Sequence, residues 1–252
     1  MLFKNRWSWG RQIYWGVMLF LLFFFLSLFF YDTSLTFKTT ANFIIAIVAL
    51  LIAYYALGSF KIFKKNLLWT QSSWIWRWII LIVVIILLLV EQVPTNILQV
   101  LQSKFLILNT MTALAAAILE EAIFRGLFFS GFLGHAIYES STYKLTKAAL
   151  YSALIFGFLH LVNITSMAPQ AVFEQMVYTF AAGTFLAVLR IITNRLLWVI
   201  ILHFLIDWSS SIYAPHLNSG SWGDLLIILV PLFLVSIVYL IYADKLLLRQ
   251  TA

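Results

Sequence analysis

The sequence predicts an all-α fold, a polytopic membrane bundle of about eight transmembrane helices with both termini in the cytoplasm. Three observations lead to this prediction. Of the 252 residues, 63% are hydrophobic and only 10% are charged, whereas soluble domains average about 45–50% apolar and about 25% charged residues. The apolar residues form runs of about 20, the length that crosses a bilayer. The basic residues fall almost entirely on one side of the resulting topology.

The composition also excludes several classes of protein. With 23 Phe, 11 Tyr and 10 Trp, the chain has too many aromatic residues for a disordered protein. It has no cysteine, which excludes a disulfide framework, thiolate metal sites and a cysteine nucleophile. The net charge of +7 is explained by the excess of Lys and Arg that membrane proteins carry in cytoplasmic loops. We therefore expect the lipid bilayer as its environment and no nucleic-acid partner.

Eight segments are long and apolar enough to be drawn as spans. They are residues 12–31, 41–60, 74–93, 105–132, 148–164, 171–190, 196–213 and 223–243. The first could be a signal peptide, but its apolar run exceeds the usual core of about 7–15 residues. It ends in Tyr31, Asp32 and Thr33 instead of a small-residue cleavage site. We therefore interpret it as a retained helix.

The positions of Lys and Arg set the expected orientation. With the N-terminus inside, only Lys38 and Lys104 lie outside, and Arg125 falls within a span. Thirteen basic residues lie on the inside: Lys4, Arg6, Arg11, Lys61, Lys64, Lys65, Arg77, Lys144, Lys147, Arg190, Arg195, Lys245 and Arg249. Because cytoplasmic loops are enriched in Lys and Arg, this bias places both termini in the cytoplasm. We expect a multi-pass protein of the plasma membrane.

Small residues distinguish the middle spans from the others. In the fourth, fifth and sixth spans they recur, often four residues apart, at Ala113, Ala115, Ala116, Ala117, Ala149, Ala153, Gly157, Gly183 and Ala187. Small residues at this spacing let helix backbones approach closely in lipid. The sequence therefore predicts one membrane domain, residues 1–252, with a functional core at 105–215. The first three spans and the last are expected to be peripheral.

Ionisable residues inside the spans are the strongest functional signal. Each Asp, Lys or Arg at a helix centre costs about 2.5–3.5 kcal/mol on insertion scales. Glu120, Glu121, Arg125 and Asp207 lie well inside predicted spans, and two histidines, His160 and His203, accompany them. All six fall in the fourth, fifth and seventh spans. An intramembrane ionisable residue indicates a functional site by default.

The spacing of these residues predicts specific pairs. Glu121 and Arg125 are four residues apart, the right distance for an ion pair on one helix face. Glu120 lies about 100° around the helix from Glu121 and has no partner within its own helix, although both glutamates could simply serve packing. His203 and Asp207 also share one helix face. They could form a structural pair, bind a metal or offer hydrogen bonds to a substrate, and His160 could bridge two helices.

Three motifs in this order resemble a known family. Glu120-Glu121-x-x-x-Arg125, Phe156-x-x-x-His160 and His203-x-x-x-Asp207 are similar to the motifs of the CPBP, or Abi, family of CAAX-processing and bacteriocin-processing intramembrane endopeptidases, which includes Rce1-like proteins. The resemblance covers about residues 105–215. It implies a glutamic peptidase without a metal cofactor, acting on a membrane-associated peptide or protein.

The resemblance also implies a role for each residue. Glu120 and His160 are expected to activate water, His203 and Asp207 to stabilise the oxyanion, and Glu121, Arg125 and Phe156 to support the site. The family has Asn or Asp at the position of Asp207. Since an ionised carboxylate cannot donate a hydrogen bond, Asp207 either carries a proton or acts by orienting His203.

Other functions remain open from the residues alone. Glu120, His160, His203 and Asp207 are all acceptable zinc ligands, although no His-Glu-x-x-His helix is present. Some members of the family are linked to bacteriocin self-immunity or surface regulation, which need not require catalysis. A proton-coupled transporter would also use buried carboxylates and histidines, but no inverted repeat is visible.

Overall fold

The computed structural model describes residues 2–64, 71–165, 167–210 and 222–251, and within them the chain is helical, with no β-strand. The α-helices are α1 (Trp9–Phe29), α2 (Leu35–Leu57), α3 (Gln71–Val90), α4 (Val93–Gln102), α5 (Leu106–Glu120), α6 (Phe129–Tyr138), α7 (Lys144–Leu159), α8 (Pro169–Thr193), α9 (Leu196–Asp207) and α10 (Trp222–Thr251). A π-helical segment (Glu121–Phe128) joins α5 to α6, and a 3₁₀ turn (His160–Thr165) follows α7.

The membrane-spanning helices agree with the predicted spans except at one place. Seven helical stretches within the described residues are long and apolar enough to cross a bilayer. The seventh predicted span, 196–213, begins as expected, but α9 has 12 residues. Such a helix is only about 18 Å long, well short of a hydrocarbon core about 30 Å thick. Residues 211–213 of that prediction lie outside the described residues. The polytopic helix bundle is confirmed, with seven long helices and one short one.

Local sequence explains where the first two helices begin and end. Ser8 and Ser34 precede α1 and α2, and their hydroxyls accept hydrogen bonds from the backbone N–H groups of Arg11 and Phe37. Serine at this position satisfies N–H groups that the first helical turn leaves unpaired. Gly58 ends α2 with a φ of 72°, the left-handed conformation that glycine adopts without strain.

Side-chain contacts bring the loops of one end of the bundle together. The amide oxygen of Asn194 accepts hydrogen bonds from the backbone N–H groups of Ile62 and Phe63, at 2.8 and 2.9 Å. The carboxylate of Asp244 accepts from the N–H groups of Leu145 and Thr146, at 2.8 and 3.0 Å. The first contact joins the end of α8 to the residues that follow α2, and the second joins α10 to the start of α7. Leu2 and Phe3 pair with Phe63 and Ile62, so the described start of the chain also lies at this end of the bundle.

Helices expected to be peripheral pack directly against the helix that carries the glutamates. In α2, the side chains of Ala46, Ala49 and Ala53 are completely buried and belong to the apolar cluster that includes α5 and the π-helical segment. In α1, the space beside Gly16 is filled by the ring of Phe128. Close helix contact at small residues therefore extends to α1 and α2, beyond the predicted core of residues 105–215.

Candidate active site

The π-helical segment sits directly on the first motif. Residues 106–138 form one continuous helical stretch of 33 residues, and its hydrogen-bonding pattern widens between Glu121 and Phe128. Single π turns inside α-helices occur frequently at functional sites. All eight residues of the segment are buried. Glu120 is therefore the last residue of α5, and Glu121 begins the wider turn.

The predicted ion pair between Glu121 and Arg125 is confirmed. Nη1 of Arg125 donates to Oε1 of Glu121 at 2.8 Å, and both side chains are fully buried. The guanidinium lies over the ring of Phe156, 4.4 Å from its centroid. Because a buried charge is expensive unless it is paired, the ion pair and the aromatic ring explain how Arg125 is tolerated within the bundle.

His203 joins α9 to both glutamates. Its Nδ1 atom lies 2.7 Å from Oε1 of Glu121. Its Nε2 atom lies 3.2 Å from Oδ2 of Asp207 and 3.6 Å from Oε2 of Glu120. Carboxylate oxygens only accept hydrogen bonds, so an imidazole with hydrogen on both nitrogens satisfies the Glu121 and Asp207 contacts together. The adjacent glutamates thus reach the two nitrogens of one ring.

His160 lies on the other side of Phe156. The rings of Phe156 and His160 are 4.9 Å apart, and those of Phe156 and His203 are 6.3 Å apart. Nδ1 of His160 lies 2.8 Å from the backbone oxygen of Phe156. Since a carbonyl only accepts, Nδ1 carries the hydrogen, and in the neutral ring Nε2 is the acceptor. His160 therefore has the tautomer of a base.

A small cavity connects His160 with Glu120. It has a volume of about 140 Å³ and is lined by Phe20, Phe23, Leu119, Glu120, Ile123, Phe124, Phe156, Leu159, His160, Val162 and Asn163. Its remaining lining is mostly apolar. Two larger grooves, of about 700 and 420 Å³, contain none of the predicted site residues. A carboxylate and an imidazole therefore line one small cavity.

All seven predicted site residues belong to one assembly. Arg125, His160 and His203 surround Phe156, Glu121 links Arg125 to His203, and Asp207 and Glu120 flank His203. The 140 Å³ cavity and the carboxylates around His203 are thus two parts of one site, with Glu120 belonging to both.

Arg190, placed at the inside end of the sixth predicted span, is buried against other helices. It is only 1% exposed. Nη2 donates to the hydroxyl of Ser130 at 3.1 Å, and the guanidinium lies 5.1 Å from the ring centroid of Phe129. The helix α8 continues to Thr193, so Arg190 belongs to its last buried turn. The sequence did not indicate that this arginine is buried, because its partners Ser130 and Phe129 lie in α6.

A second feature that the sequence did not predict is a hydrogen-bonded pair of polar side chains near Asp207. The hydroxyl of Tyr178, in α8, donates to Oε1 of Glu91 at 3.0 Å. Glu91 lies between α3 and α4, outside the membrane-spanning helices. Burial raises its pKa above the ordinary value, the Tyr178 hydrogen bond partly offsets this, and the carboxylate of Asp207 raises it further. A carboxylate near the end of the third predicted span, residues 74–93, was the only sequence signal for this pair.

Three carboxylates and a histidine invite comparison with a metal site. Within the part of the chain that the structure describes, no group of three or more His, Asp or Glu side chains is arranged to hold a metal ion. The nitrogens of His203 already face Glu121 and Asp207, and Nδ1 of His160 faces a carbonyl. The side chains are thus arranged to hydrogen-bond one another.

Comparison with known proteins identifies the family. Residues 73–209, more than half of the chain, match the family model described as type II CAAX prenyl endopeptidase Rce1-like. The match begins in α3 and ends just after α9, so it includes all three motifs. No curated protein and no solved structure matches the chain.

Proposed function

Because the chain belongs to the type II CAAX prenyl endopeptidase Rce1-like family, a family of membrane proteases, we propose that it cleaves its substrate with water activated by Glu120 and His160. The protein is an integral, multi-pass membrane protein with seven helices long enough to span a bilayer among its described residues. The observation that carries the proposal is that Glu120 and His160 line the same cavity inside the bundle. A water molecule bound there meets both acceptors.

Glu120 and His160 both serve as proton acceptors in the proposed reaction. Nε2 of His160 is the acceptor in the neutral ring, because Nδ1 donates to the backbone of Phe156. A water proton is taken up by this pair of acceptors as the water oxygen attacks the scissile carbonyl. The apolar lining limits competing water and strengthens electrostatic interactions at the site. The same pair then returns a proton to the departing amine.

His203 is the proposed centre of charge stabilisation. Its contacts to Glu121 and Asp207 fix the orientation of the ring, and a fixed donor stabilises developing negative charge more effectively than a mobile one. At 3.2 Å from Nε2, Asp207 supports the interpretation that it orients His203. Glu121 and Arg125 act as positioning residues that hold this ring against the π-helical segment.

We propose that the reaction uses no metal. With both ring nitrogens of His203 held by carboxylates, zinc coordination by His203 would require it to give up one of these partners. Metal analysis of the purified protein and activity after chelation test this. Stoichiometric zinc with chelator-sensitive cleavage would instead support the metal-dependent version.

The proposed substrate is a membrane-associated peptide or protein in the plasma membrane. The site lies inside the bundle, so a substrate must approach from the bilayer or its surface. The family's name points to prenylated CAAX tails, and bacteriocin precursors and other short membrane peptides are the alternatives. A farnesylated CAAX peptide and its unprenylated counterpart are suitable first probes.

The deciding experiment compares membrane peptides from cells producing the wild type, Glu120→Gln or Glu139→Gln. Glu139 is an exposed glutamate after α6, which makes it a matched control for the same substitution. We expect a precursor to accumulate uncut with Glu120→Gln and not with Glu139→Gln, at equal protein levels. Unchanged cleavage with Glu120→Gln would refute the mechanism, and a phenotype rescued without cleavage would indicate a non-catalytic role.

A further inference from the structure

The turn after α7 places Asn163 beside His160. Residues His160–Thr165 form a 3₁₀ turn, in which side chains three residues apart lie on the same side. His160 and Asn163 have this spacing, and both line the 140 Å³ cavity together with Glu120. An α-helical continuation of α7 would have separated them further around the axis.

The residues implied by the family resemblance leave the oxyanion short of donors. Asp207 accepts hydrogen bonds when ionised and donates none. His203 directs Nδ1 at Glu121 and Nε2 at Asp207, at 2.7 and 3.2 Å. Any donation from His203 to a substrate must therefore compete with two carboxylates. Asn163 also lines this cavity, and its side-chain amide nitrogen carries two hydrogens, so it is a donor that is not tied to a carboxylate.

We propose that Asn163 is a further catalytic residue, whose side-chain amide donates a hydrogen bond to the oxygen of the scissile carbonyl as it becomes negative. The inference rests on the proposed hydrolytic function and adds a residue to it. It assigns to this asparagine, on the turn after α7, the donor role that Asp207 cannot fill as a carboxylate.

The chemical step is an ordinary hydrolysis. The oxygen of water bonds to the carbonyl carbon, its proton passes to the Glu120–His160 pair, and the electron pair of the C=O π bond moves to the carbonyl oxygen. Asn163 donates to that oxygen in the tetrahedral intermediate. When the C=O bond re-forms, the C–N bond breaks, and the departing nitrogen takes the proton from the same pair. One water is consumed, and a carboxylate and an amine are formed.

Gln175 holds the amide of Asn163 in a defined orientation. Nδ2 of Asn163 donates to Oε1 of Gln175, in α8, at 2.8 Å. An amide nitrogen carries two hydrogens, so a bond to Gln175 is compatible with a bond to substrate. Pre-oriented donors are the effective ones in oxyanion sites, because they need no reorganisation during the reaction.

The test separates a donor from a structural tie between the 3₁₀ turn and α8. The variants are Asn163→Leu and Asn163→Asp, which remove the N–H at similar size, Asn163→Gln, which keeps an amide, and Gln175→Leu, which removes only the tie. The probe is the precursor that accumulates with Glu120→Gln, and kcat and KM are measured per folded protein. Loss of one oxyanion donor lowers kcat by about 10²–10³-fold.

We expect Asn163→Leu and Asn163→Asp to show that loss in kcat with KM nearly unchanged. Asn163→Gln should recover part of the activity, and Gln175→Leu should lose much less. Equal losses in Gln175→Leu and Asn163→Leu would overturn the inference, since breaking the tie would then account for everything. Wild-type kcat in Asn163→Leu would also overturn it. If Glu120→Gln cleaves normally, the proposed function itself fails, a result recognisable before any Asn163 variant is made.

Discussion

A Cβ atom built on Gly183 would lie 2.6 Å from Nη2 of Arg125. Gly183 belongs to α8, and the sequence suggested only that it lets helices approach closely. In the structure it makes room for a guanidinium that is pinned between Glu121 and the ring of Phe156. Because glycine has no side chain, α8 can pack closely here and still leave space for the guanidinium of Arg125.

We predict that Gly183→Ala displaces Arg125 and weakens its bond to Glu121. Forcing extra atoms into a packed core costs about 1–3 kcal/mol, and here the strain falls on the buried ion pair. Thermal unfolding in detergent and cleavage of the accumulated precursor measure the two effects. Gly10→Ala is the matched control, because nothing lies within 4 Å of a Cβ at that position. Equal stability of the two variants would contradict the prediction.

The buried pair of Glu121 and Arg125 should show strong coupling. Removing one partner leaves an uncompensated charge and costs about 3–5 kcal/mol, whereas removing both costs much less. We therefore expect Glu121→Gln and Arg125→Gln each to reduce stability more than the double variant does. Unfolding in detergent gives the coupling directly. Additive losses would mean that the 2.8 Å contact contributes little.

Asp207→Asn tests how Asp207 acts on His203. Its carbonyl oxygen can accept from Nε2, now 3.2 Å from the carboxylate, while its amide group can donate to an oxyanion. We expect Asp207→Asn to keep kcat within about tenfold of wild type, and Asp207→Leu to lose about 10²-fold or more, as expected when an oriented donor is released. If Asn is as inactive as Leu, the negative charge is what His203 requires.

Glu91 gives the fold a predictable pH dependence. Its pKa is raised in the folded protein, so folding favours its protonated form. Its stabilising contribution is present below the ordinary pKa and is lost as pH rises through the raised value. Glu91→Gln removes this titration while keeping an acceptor for Tyr178. As pH rises from about 4 to about 8, the melting temperature of Glu91→Gln should fall less than that of the wild type. Parallel curves would contradict this.

The sequence was sufficient for the features that depend on composition and short spacing. Runs of apolar residues identified the long helices, and the four-residue spacing of Glu121 and Arg125 predicted their ion pair. Because only 10% of the residues are charged, the ionisable residues inside the spans were easy to recognise. The site residues could therefore be named before their contacts were known.

Other features depend on distances that spacing does not encode. The Glu91–Tyr178 bond joins residues 87 positions apart, and burial of Arg190 requires Ser130 and Phe129 from α6. The π-helical turn after Glu120 follows no recognisable residue pattern. The segment packs against α1 and α2, whose contribution the small-residue pattern of the middle spans did not reveal.

The central claim, that Glu120 and His160 act on one water molecule, is tested most directly by a double-mutant cycle of cleavage rates. Purified wild type, Glu120→Gln, His160→Ala and the double variant are compared on the accumulated precursor, at equal amounts of folded protein. Residues that act as a unit give losses that do not multiply. We predict that each single variant loses about 10²–10⁴-fold and that the double variant is hardly slower than either. Losses that multiply, or Glu120→Gln cleaving at the wild-type rate, would contradict the account.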